Sequence, residues 1–305
     1  MQLEIRNKNR LFYEIRLKIK KIIYSNEYLL RKYSFLKSIV IKYFSCNQLK
    51  DNKLFEKVFI ETISYCNNDC EFCSVRISSV IKKSSNLMEE GIFLKIIEEL
   101  VNLSFKGSVA FHCNNEPFLD ERLPYFIKLA RKMLKKNFFY LYTNGTLLTD
   151  ELLKDVFIVG INRIIVNDYN GSFKLMQTVE NFVKHNRELN GEIIFYHRKT
   201  NEFLGNRSGA SPNKRLILEK PLKAICIRPA KEIVICYDGS VMLCCCDSLW
   251  KNKMGNINES SLKDIWVGHD FASKRKALLR FNRNISSICK VCDAVDLSVK
   301  KGVLF

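Results

Sequence analysis

Cys66, Cys70 and Cys73 stand in the spacing C-x3-C-x2-C, a pattern with the capacity for metal chemistry. They follow the segment VFIETISY (58–65), which predicts a strand that ends in a loop rich in Cys, Asn and Asp. Three thiolates on one tight loop can converge on a single polynuclear centre, and thiolates are the usual ligands of iron–sulfur clusters. In a 4Fe–4S cluster, three cysteines leave one iron without a protein ligand. An open coordination position of this kind is typical of catalytic rather than structural metal sites.

The alternative for this loop is a zinc site or a chance group of free cysteines. Zinc would need a fourth ligand nearby, and residues 57–80 contain no histidine. The corresponding non-enzyme hypothesis is a structural zinc protein that uses both cysteine groups of the chain. Because an odd group of three cysteines disfavours zinc, we predict an iron–sulfur cluster.

A second group of cysteines occupies the last third of the chain: Cys226, Cys236, Cys244, Cys245, Cys246, Cys289 and Cys292. Cys289 and Cys292 form a C-x2-C pair, and Cys244 stands shortly after Gly239. Four ligands from two hairpin-like segments can saturate one iron–sulfur cluster or one zinc ion. These cysteines alone leave both metals open.

The composition fits a globular chain in a reducing compartment. Of its 305 residues, 47% are apolar and 27% are charged, which excludes disordered and collagen-like chains. No apolar run approaches the ~20 residues of a membrane-spanning helix, and no apolar segment typical of secretory signals follows the charged N-terminus. We therefore expect a soluble, cytoplasmic protein whose twelve cysteines include metal ligands rather than disulfides.

Positive charge is concentrated at the N-terminus. The net charge is +18, and residues 1–50 hold 12 Lys and Arg against 3 Asp and Glu. Such charge can indicate a nucleic-acid partner, but no RNA-binding module is recognisable and we expect none. The apolar residues of 1–50 recur at helical spacing. A basic helical segment of this kind lies on an anionic membrane surface or caps the neighbouring domain, and we favour the cap.

Strand and helix patterns alternate between residues 57 and 200. The expected strands are 58–65, 108–113, 137–143, 161–169 and 191–198, and the expected helices are 88–103, 121–136, 148–156 and 172–189. This alternation predicts right-handed βαβ units and a parallel sheet, which place ligands at the carboxyl ends of the strands. The Ser-, Gly-, Pro- and Asn-rich segment 206–215 predicts a linker to a smaller cysteine-rich unit.

The first cysteine motif, with Phe72 as the aromatic residue before its last cysteine, resembles the signature of the radical S-adenosylmethionine (radical SAM) enzymes. Asn114-Asn115-Glu116-Pro117 stands where that family usually has Gly-Gly-Glu-Pro, so the glycines are replaced and the glutamate is retained. Thr143–Leu148 is similar to the end of the family's third strand. The resemblance covers about residues 57–200 and implies a partial (β/α)6 barrel.

The resemblance also implies cofactors. The three cysteines of the first loop would hold a 4Fe–4S cluster, and the amine and carboxylate of SAM would chelate its fourth iron. One electron, from a donor such as flavodoxin or ferredoxin, would cleave SAM to a 5′-deoxyadenosyl radical that abstracts a substrate hydrogen. Glu116 would contact the SAM amine, and Asn167 its ribose or carboxylate. The full set of cofactor-binding residues would be Phe72, Asn115, Glu116, Asn144 and Asn167.

The second cysteine group resembles the SPASM/Twitch auxiliary-cluster domain that is appended to many radical SAM enzymes. Asp238-Gly239, Gly255–Ile257, Leu262–Trp266 and Arg275 fit its usual pattern. Because the chain has no cysteine after Cys292, the resemblance implies the shorter Twitch-like form with one auxiliary 4Fe–4S cluster. Its ligands would be Cys226, Cys244, Cys289 and Cys292, with Cys245 or Cys246 as substitutes for Cys244. The ordinary thiols would be Cys46, Cys113 and Cys236.

A fully ligated auxiliary cluster cannot bind substrate, so its expected role is electron transfer. The architecture resembles that of SAM-dependent oxidases of sugar-like secondary alcohols, in which the adenosyl radical takes a carbinol hydrogen and the auxiliary cluster accepts the second electron. Arg207 precedes the second cysteine group and is the candidate for substrate contact or proton handling. We therefore expect a radical SAM oxidoreductase that oxidises a sugar- or cyclitol-like small molecule.

Two alternative activities belong to the same superfamily. Enzymes that modify ribosomal peptides often carry an N-terminal recognition domain of strands and a winged helix, whereas residues 1–50 show no β-hairpin signal. Modification of tRNA is suggested only by the charge. We therefore favour a small-molecule substrate and keep a peptide substrate as the second choice.

The expected fold class is α/β. Residues 1–56 would form a basic helical N-terminal extension, and residues 57–215 the radical SAM core with its partial (β/α)6 barrel. Residues 216–305 would form the small, cysteine-rich SPASM/Twitch domain.

Overall fold

The computed structural model describes residues 1–6, 10–45, 54–70, 72–74, 86–169, 171–198, 205–211 and 218–295. Within α1 and α2, defined below, the side chains of residues 10–13, 16, 17, 44 and 45 are not described. Cys46, which we expected to be an ordinary thiol, lies outside the described residues. All cysteines expected to ligate clusters lie within them.

Nine strands of the described residues form one sheet, in the order β1-β6-β5-β4-β3-β2-β7-β8-β9. The strands are β1 (Gln2–Arg6), β2 (Lys57–Ile60), β3 (Ser108–Ala110), β4 (Phe138–Thr143), β5 (Arg163–Asp168), β6 (Glu192–His197), β7 (Glu232–Ile235), β8 (Ser240–Met242) and β9 (Lys253–Asn256). Neighbours from β1 to β7 pair in parallel, and β8 pairs antiparallel with β7 and β9. The five strands expected between residues 57 and 200 are present as β2 to β6, so the predicted parallel α/β sheet is confirmed.

Ten helices surround the sheet in the described residues. They are α1 (Arg10–Ser25), α2 (Glu27–Ser45), α3 (Glu90–Asn102), α4 (Leu123–Met133), α5 (Asp150–Ile158), α6 (Phe173–His185), α7 (Arg228–Lys231), α8 (Leu262–Val267), α9 (His269–Leu279) and α10 (Ser287–Lys290). Thr149 is the N-cap of α5, because its Oγ1 accepts a hydrogen bond of 3.2 Å from the Leu152 N–H. None of these helices has the length and hydropathy that crossing a bilayer requires.

The parallel strands are buried on both faces, which is why they read as continuous apolar runs rather than alternating ones. Val58, Val109 and Leu141 are fully buried in three neighbouring strands. α3 and α4 cover one face, and the rings of Phe93 and Phe126 stack there with their centroids 4.4 Å apart. This core holds the carboxyl ends of β2, β3 and β4 side by side.

β2 lies between β3 and β7, so the C-terminal unit continues the sheet of the core. Val58 pairs with Val109 on one side and with Ile233 on the other. The first cysteine loop follows the carboxyl end of β2. In the second group, the Cys245 N–H donates a hydrogen bond of 3.3 Å to Glu232, the first residue of β7. The Cys245 carbonyl lies 4.0 Å from the sulfur of Cys113, which follows the carboxyl end of β3, so the second group reaches the strand ends that carry the first cysteine loop.

The N-terminal extension differs from the expected purely helical one. β1 adds a strand to the sheet edge, where Gln2 pairs with Glu192 and Arg6 with Tyr196. α2 packs through Leu30 on an apolar cluster that also contains Ile41, Leu218, Leu222, Ala224, Ile225, Ile227 and Val295. The helical cap is therefore on the C-terminal unit and not on the barrel, because the apolar residues that complement α2 lie there.

Candidate active site

Three loops that we expected to bind a cofactor meet at the carboxyl ends of β2, β3 and β4. The Glu116 N–H donates a hydrogen bond of 2.9 Å to the Tyr65 carbonyl, next to the first cysteine. The Asn144 N–H donates a hydrogen bond of 2.8 Å to Glu116 Oε2. The end of β4 is thus joined to the loop after β3, and that loop to the loop after β2. These residues are far apart in the sequence, and the fold brings them together.

The first cysteine loop is held in one conformation by its neighbours. Within it, the Cys73 N–H donates a hydrogen bond of 3.0 Å to the Cys70 carbonyl. Asn67 Nδ2 donates to Thr146 Oγ1, and Asn144 Nδ2 donates to Asn67 Oδ1, both at 2.8 Å. Asn67 was not among the residues expected at the site. It fixes the cysteine loop against the turn after β4.

The thiols of this loop lie within electrostatic range of one another. Burial above all, together with the neighbouring Cys73 and Cys70, raises the pKa of Cys66 to about 12. Burial likewise raises the pKa of Cys70 to about 11. Buried thiols of this kind become thiolate ligands when a metal replaces their protons, so the donor chemistry suits an iron–sulfur cluster.

Glu116 is a buried carboxylate held by donors on both oxygens. Thr143 Oγ1 donates to Oε1 at 2.8 Å, in addition to the bond from Asn144 to Oε2. Burial raises the pKa of Glu116 to about 7, although these hydrogen bonds act to lower it. Its two oxygens are therefore fixed in position before any ligand arrives, as recognition of a cationic amine requires.

Asn115 presents an amide nitrogen that has no hydrogen-bond partner in the described part of the chain. Its Oδ1 accepts a hydrogen bond of 3.0 Å from the Cys113 N–H. Its Nδ2 is buried and has no hydrogen-bond partner among the described residues. A buried donor of this kind costs stability unless a ligand or water satisfies it. The loop that carries Glu116 therefore also offers an unused donor, which fits a polar cofactor.

Two other expected cofactor residues are already engaged by the protein. Asn167 Oδ1, near the end of β5, accepts a hydrogen bond of 2.9 Å from Arg198 Nε. The ring of Phe72 lies 5.0 Å from that of Tyr169, and its carbonyl accepts a hydrogen bond from Ser211 Oγ. Tyr169 was not expected at the site. Its phenol lies within electrostatic range of Cys70 and of the Arg207 guanidinium.

The segment 205–211 connects the two cysteine groups instead of forming a free linker. The Asn206 N–H donates a hydrogen bond of 2.9 Å to Asp293 Oδ1, and Asn206 Nδ2 donates one of 2.7 Å to the Val291 carbonyl. These contacts attach it to the C-x2-C turn. At its other end, Ser211 contacts Phe72 of the first loop. The expected linker therefore begins with an ordered bridge, and residues 212–215 lie outside the described residues.

Arg207 occupies the centre of this bridge. Its Nη1 donates a hydrogen bond of 3.2 Å to the Cys245 carbonyl, and its backbone has a left-handed φ of 46°. Burial acts to lower the pKa of the guanidinium, but the sulfur atoms of Cys246, Cys245 and Cys73 outweigh burial and the net pKa is raised. Arg207 is therefore a fixed cation placed between the first and second cysteine groups.

The second cysteine group gathers around Cys246. The thiols of Cys244, Cys245 and Cys292 are hydrogen bonded to its sulfur. Cys226 lies within electrostatic range of Cys244 and Cys289. These hydrogen bonds, that from Cys244 above all, lower the pKa of Cys246. The structure thus brings together the four expected ligands of the auxiliary cluster. Cys246, which is not one of the four, lies at the centre of the group.

Cys245 has a different environment from its two neighbours. Its Sγ accepts a hydrogen bond of 2.6 Å from Arg228 Nη1, and its N–H is bonded to Glu232. Arg228 in turn lies 3.8 Å from Glu232. Cys245 therefore takes part in a charged contact beside β7 in addition to its hydrogen bond with Cys246.

Residues of the expected SPASM/Twitch pattern support the fold around this group. Gly239 has a φ of +81°, and a Cβ there would lie 2.9 Å from Asn256 Oδ1, so the turn between β7 and β8 requires glycine. Asp238 Oδ1 accepts a hydrogen bond of 2.9 Å from the Ser240 N–H in the same turn. The Arg275 guanidinium lies 4.2 Å from the Trp266 ring centroid, which packs α9 on α8.

Glu61 is a buried carboxyl that we did not expect at the site. The Asn114 N–H and the Cys236 thiol both donate hydrogen bonds to it. Burial raises its pKa from 4.5 to about 7, and Arg207 lies within electrostatic range. A charged residue at the end of the apolar run 58–60 is a signal that could have identified it, since the rest of that segment is buried.

No three described His, Cys, Asp or Glu side chains surround a single point as the ligands of one metal ion do. The two cysteine groups are nevertheless gathered, and both supply thiols, the soft donors that iron–sulfur clusters use. Together with the unused Asn115 donor and the fixed Glu116 carboxylate, these residues fit two clusters and one SAM molecule.

Comparison with known proteins agrees with this arrangement. Residues 60–167 match the family model of the radical SAM superfamily, and residues 226–293 match that of the SPASM iron–sulfur cluster-binding domain. The two matches contain every cysteine expected to be a ligand. The agreement decides against the structural zinc protein that the cysteines alone left open.

Two curated proteins show the similarity at different lengths. The S-adenosyl-L-methionine-dependent 2-deoxy-scyllo-inosamine dehydrogenase of Niallia circulans is 29% identical over 255 residues, which cover 82% of this chain and 97% of that protein. The tungsten-containing aldehyde ferredoxin oxidoreductase cofactor-modifying protein of Pyrococcus furiosus is 28% identical over 127 residues, 41% of this chain and 33% of that one.

Solved structures show the same relation. The crystal structure of BtrN in complex with AdoMet and 2-DOIA has a TM-score of 0.71 and 28% identity, and the match covers 82% of this chain and 98% of that one. BtrN in an open conformation matches with a TM-score of 0.61 and 26% identity over 80% of this chain and 94% of that one. The fold therefore extends through both cysteine groups.

Proposed function

Since the chain belongs to the radical SAM superfamily and carries a C-terminal SPASM domain, we propose that it oxidises a secondary alcohol of a sugar- or cyclitol-like small molecule to a ketone. The 2-deoxy-scyllo-inosamine dehydrogenase of Niallia circulans, which is similar over most of both chains, supports this reaction class. The chain is an oxidoreductase that depends on SAM and iron–sulfur clusters. Its substrate and the roles of its side chains are the proposal.

When bound, the first cluster and SAM supply a 5′-deoxyadenosyl radical that abstracts a hydrogen atom, and the auxiliary cluster accepts the remaining electron. We assign Cys66, Cys70 and Cys73 as the ligands of the first cluster. Glu116 would bind the SAM amine, since both its oxygens are held in place by Thr143 and Asn144. The reducing electron would come from a carrier such as flavodoxin or ferredoxin.

The remaining cofactor contacts follow from the hydrogen-bonding state of each side chain. Asn115 Nδ2 is a buried donor without a partner in the described residues, so we assign it to an acceptor on SAM. Asn144 contributes through its N–H to Glu116 and through its side chain to the cysteine loop. Phe72 packs on Tyr169 and would line the cofactor pocket. Asn167 Oδ1 accepts a hydrogen bond from Arg198, so we assign only the Nδ2 group of Asn167 to a ligand contact.

For the auxiliary cluster we assign Cys226, Cys244, Cys289 and Cys292. Cys246 lies among these residues and is the substitute for Cys244. Cys245 is not assigned, because its sulfur is bonded to Arg228. Cys113 and Cys236 are also left out: Cys236 is bonded to Glu61, and the Cys113 sulfur faces the Cys245 carbonyl at 4.0 Å.

The position of Arg207 is the observation that supports an alcohol oxidation most directly. Its guanidinium is a permanent cation in the field of Cys73 on one side and Cys245 and Cys246 on the other. A substrate placed between the clusters would meet it. Loss of the hydroxyl proton leaves negative charge on oxygen, and a fixed cation stabilises that charge. We therefore assign Arg207 to hold the substrate oxygen.

Glu61 is the carboxyl that suits the released proton. Its pKa of about 7, raised by burial, lets it accept a proton at neutral pH. It lies within electrostatic range of Arg207, so a proton leaving the oxygen that Arg207 holds has an acceptor in the same interior. The atoms and electrons lost by the alcohol are all accounted for. One hydrogen atom goes to the radical, one proton to Glu61 and one electron to the auxiliary cluster.

The test is a reaction of the anaerobically reconstituted protein with SAM, a reductant and 2-deoxy-scyllo-inosamine or related cyclitols. Deuterium at the carbinol carbon should appear in 5′-deoxyadenosine, with one ketone formed for each SAM cleaved. Cys66→Ala should abolish both products, whereas Cys46→Ala should leave them unchanged. SAM cleavage without deuterium transfer or ketone from any cyclitol, together with a crosslinked peptide product, would replace this proposal with peptide modification.

A further inference from the structure

α1 and α2 carry several apolar side chains that lie outside the protein core. In the described residues these include Ile15, Ile19, Ile22, Leu36, Ile39 and Tyr43, all exposed. We call this set the hairpin face. Ile22 and Leu36 are 60% and 62% exposed. Single exposed apolar residues are common on protein surfaces, whereas a group of them indicates an interaction surface.

The hairpin face lies on the opposite side of α2 from the residues that pack on the protein. Leu30, Ser34, Ser38 and Ile41 recur at intervals of three and four residues and are buried. Leu36, Ile39 and Tyr43 recur in the same way on the other side. The contact of α2 with the C-terminal unit thus buries only its inner side, and the apolar residues of its outer side remain exposed.

The two helices are rich in basic residues. Residues 10–45 contain nine Lys and Arg but only two acidic residues, Glu14 and Glu27. Glu27 is already paired with Arg31. Lys18, Lys21 and Lys32 are exposed. Long lysine side chains lay their methylene groups along an apolar surface and keep the ammonium at its margin.

We propose that the hairpin face docks on the surface of an anionic lipid bilayer, with α1 and α2 lying in the headgroup plane. A basic helix pair with an exposed apolar side has the two features that such docking needs: apolar area to enter the acyl boundary and positive charge for the headgroups. The matched radical SAM and SPASM regions, 60–167 and 226–293, do not include it. The chemistry and the docking thus use different parts of the chain.

Charge favours a lipid surface over a second copy of the chain. A symmetric dimer through this face would bring two identical basic surfaces together, and like charges at an interface cost affinity. Anionic headgroups present the opposite charge. Docking on such a surface therefore buries the apolar side chains and places the lysines beside opposite charge. Self-association would bury the apolar side chains but bring like charges together.

The test is flotation of the full chain, with its clusters reconstituted, on lipid vesicles. Vesicles of phosphatidylcholine mixed with phosphatidylglycerol should carry the protein, and vesicles of phosphatidylcholine alone should not. Binding should weaken as salt is raised, since salt screens the headgroup charge. Lys18→Glu with Lys21→Glu should lower the partition coefficient about tenfold or more. The control with the same charge change is Lys128→Glu with Lys154→Glu, two exposed lysines elsewhere.

The apolar contribution has its own matched pair of variants. Ile22→Ser with Leu36→Ser should lower binding about tenfold. Ile158→Ser with Val267→Ser, at residues 61% and 57% exposed on other helices, should leave it unchanged. Iron content and SAM cleavage measured on every variant show that each is folded.

Three results would overturn the proposal. The first is no binding to the anionic vesicles. The second is equal loss of binding in the control pairs, which would place the contact elsewhere. The third is a dimer of the wild-type chain that Ile22→Ser with Leu36→Ser dissociates in the absence of lipid binding, which would make this face an interface between copies.

Discussion

Arg207 and Cys245 are joined by a hydrogen bond of 3.2 Å from the guanidinium Nη1 to the carbonyl oxygen. This contact fixes a cation of the core against the backbone of the second cysteine group. Arg207 and the next residue, Ser208, both have positive φ angles, 46° and 57°, although neither is glycine. Backbone strain of this kind persists where surrounding contacts hold it, and it concentrates at functional sites.

Replacement of Arg207 tests its role in holding substrate. Arg207→Lys keeps the positive charge but loses the fork of donors, so ketone formation should fall about 10²-fold while SAM cleavage continues. The ratio of 5′-deoxyadenosine to ketone, measured by mass spectrometry, would rise accordingly. Arg280→Lys, at an exposed arginine, is the control. An unchanged ratio in Arg207→Lys would assign the residue a structural role only.

Replacement of Glu116 tests recognition of the SAM amine. Glu116→Gln keeps the size and the acceptor for Thr143 but removes the charge, so SAM should bind about 10- to 100-fold more weakly. Equilibrium dialysis of the reconstituted protein measures this directly. Glu121→Gln, at an exposed glutamate, should bind SAM normally. Equal affinity in both variants would remove Glu116 from the cofactor site.

The raised pKa of Glu61 predicts a pH dependence of stability. Above pH 4.5 the unfolded carboxyl is ionised, whereas the folded one keeps its proton until about pH 7. The folded state therefore binds more protons in this window, and the free energy of unfolding falls as pH rises through it. Glu61→Gln removes this dependence.

Between about pH 6 and pH 8 the melting temperature of the wild type should therefore fall about 2 °C more than that of Glu61→Gln. Differential scanning calorimetry of the reconstituted proteins measures the difference. Glu98→Gln, an exposed site on α3, should follow the wild type. Parallel curves for the wild type and Glu61→Gln would show that the Glu61 carboxyl ionises normally.

The three consecutive cysteines should respond differently to replacement. Two 4Fe–4S clusters hold about eight irons per chain, so loss of one ligand of the auxiliary cluster should lower iron toward about four. We expect this loss in Cys244→Ser and full iron in Cys245→Ser, because the Cys245 sulfur is bonded to Arg228. Iron and sulfide analysis distinguishes them. Iron loss in Cys245→Ser would reverse the assignment.

Replacement by alanine should change the free energy of unfolding in opposite directions at two glycines. Gly239→Ala places a Cβ at a φ of +81° and 2.9 Å from Asn256, which should cost about 1–2 kcal/mol. Gly91, in the first turn of α3, has no atom within 4 Å of the added Cβ, and Gly91→Ala should stabilise the chain by about 0.5 kcal/mol. Thermal unfolding of the two variants compares them. A neutral Gly239→Ala would mean that the turn can adopt another conformation.

The sequence predicted the core elements well because their signals are local. The expected strand 137–143 is observed as Phe138–Thr143, and Thr149 caps the following helix. The apolar runs of these strands and the N-cap residue act within a few neighbours along the chain. Strands and helices between residues 57 and 200 could therefore be assigned from spacing alone.

Contacts between distant residues could not be predicted in this way. β1 is a short segment before a helix, and only its pairing with β6, nearly two hundred residues later, makes it a strand. Asn206 has the composition of a linker, yet its bonds to Asp293 and Val291 make it part of the structure. The roles of Asn67 and Glu61 likewise depend on partners that the fold brings near.

The position of β2 between β3 and β7 has a consequence for how the chain must be handled. A strand that is hydrogen bonded on both sides exchanges its amide protons only when a larger part of the sheet opens, so the two domains should unfold as one cooperative unit. Removing the C-terminal domain would leave β2 as an open edge, with unpaired backbone groups that invite aggregation. The catalytic core therefore depends on its neighbour for solubility as well as for an acceptor of the substrate electron, and the two halves cannot be divided at the boundary between their cofactors.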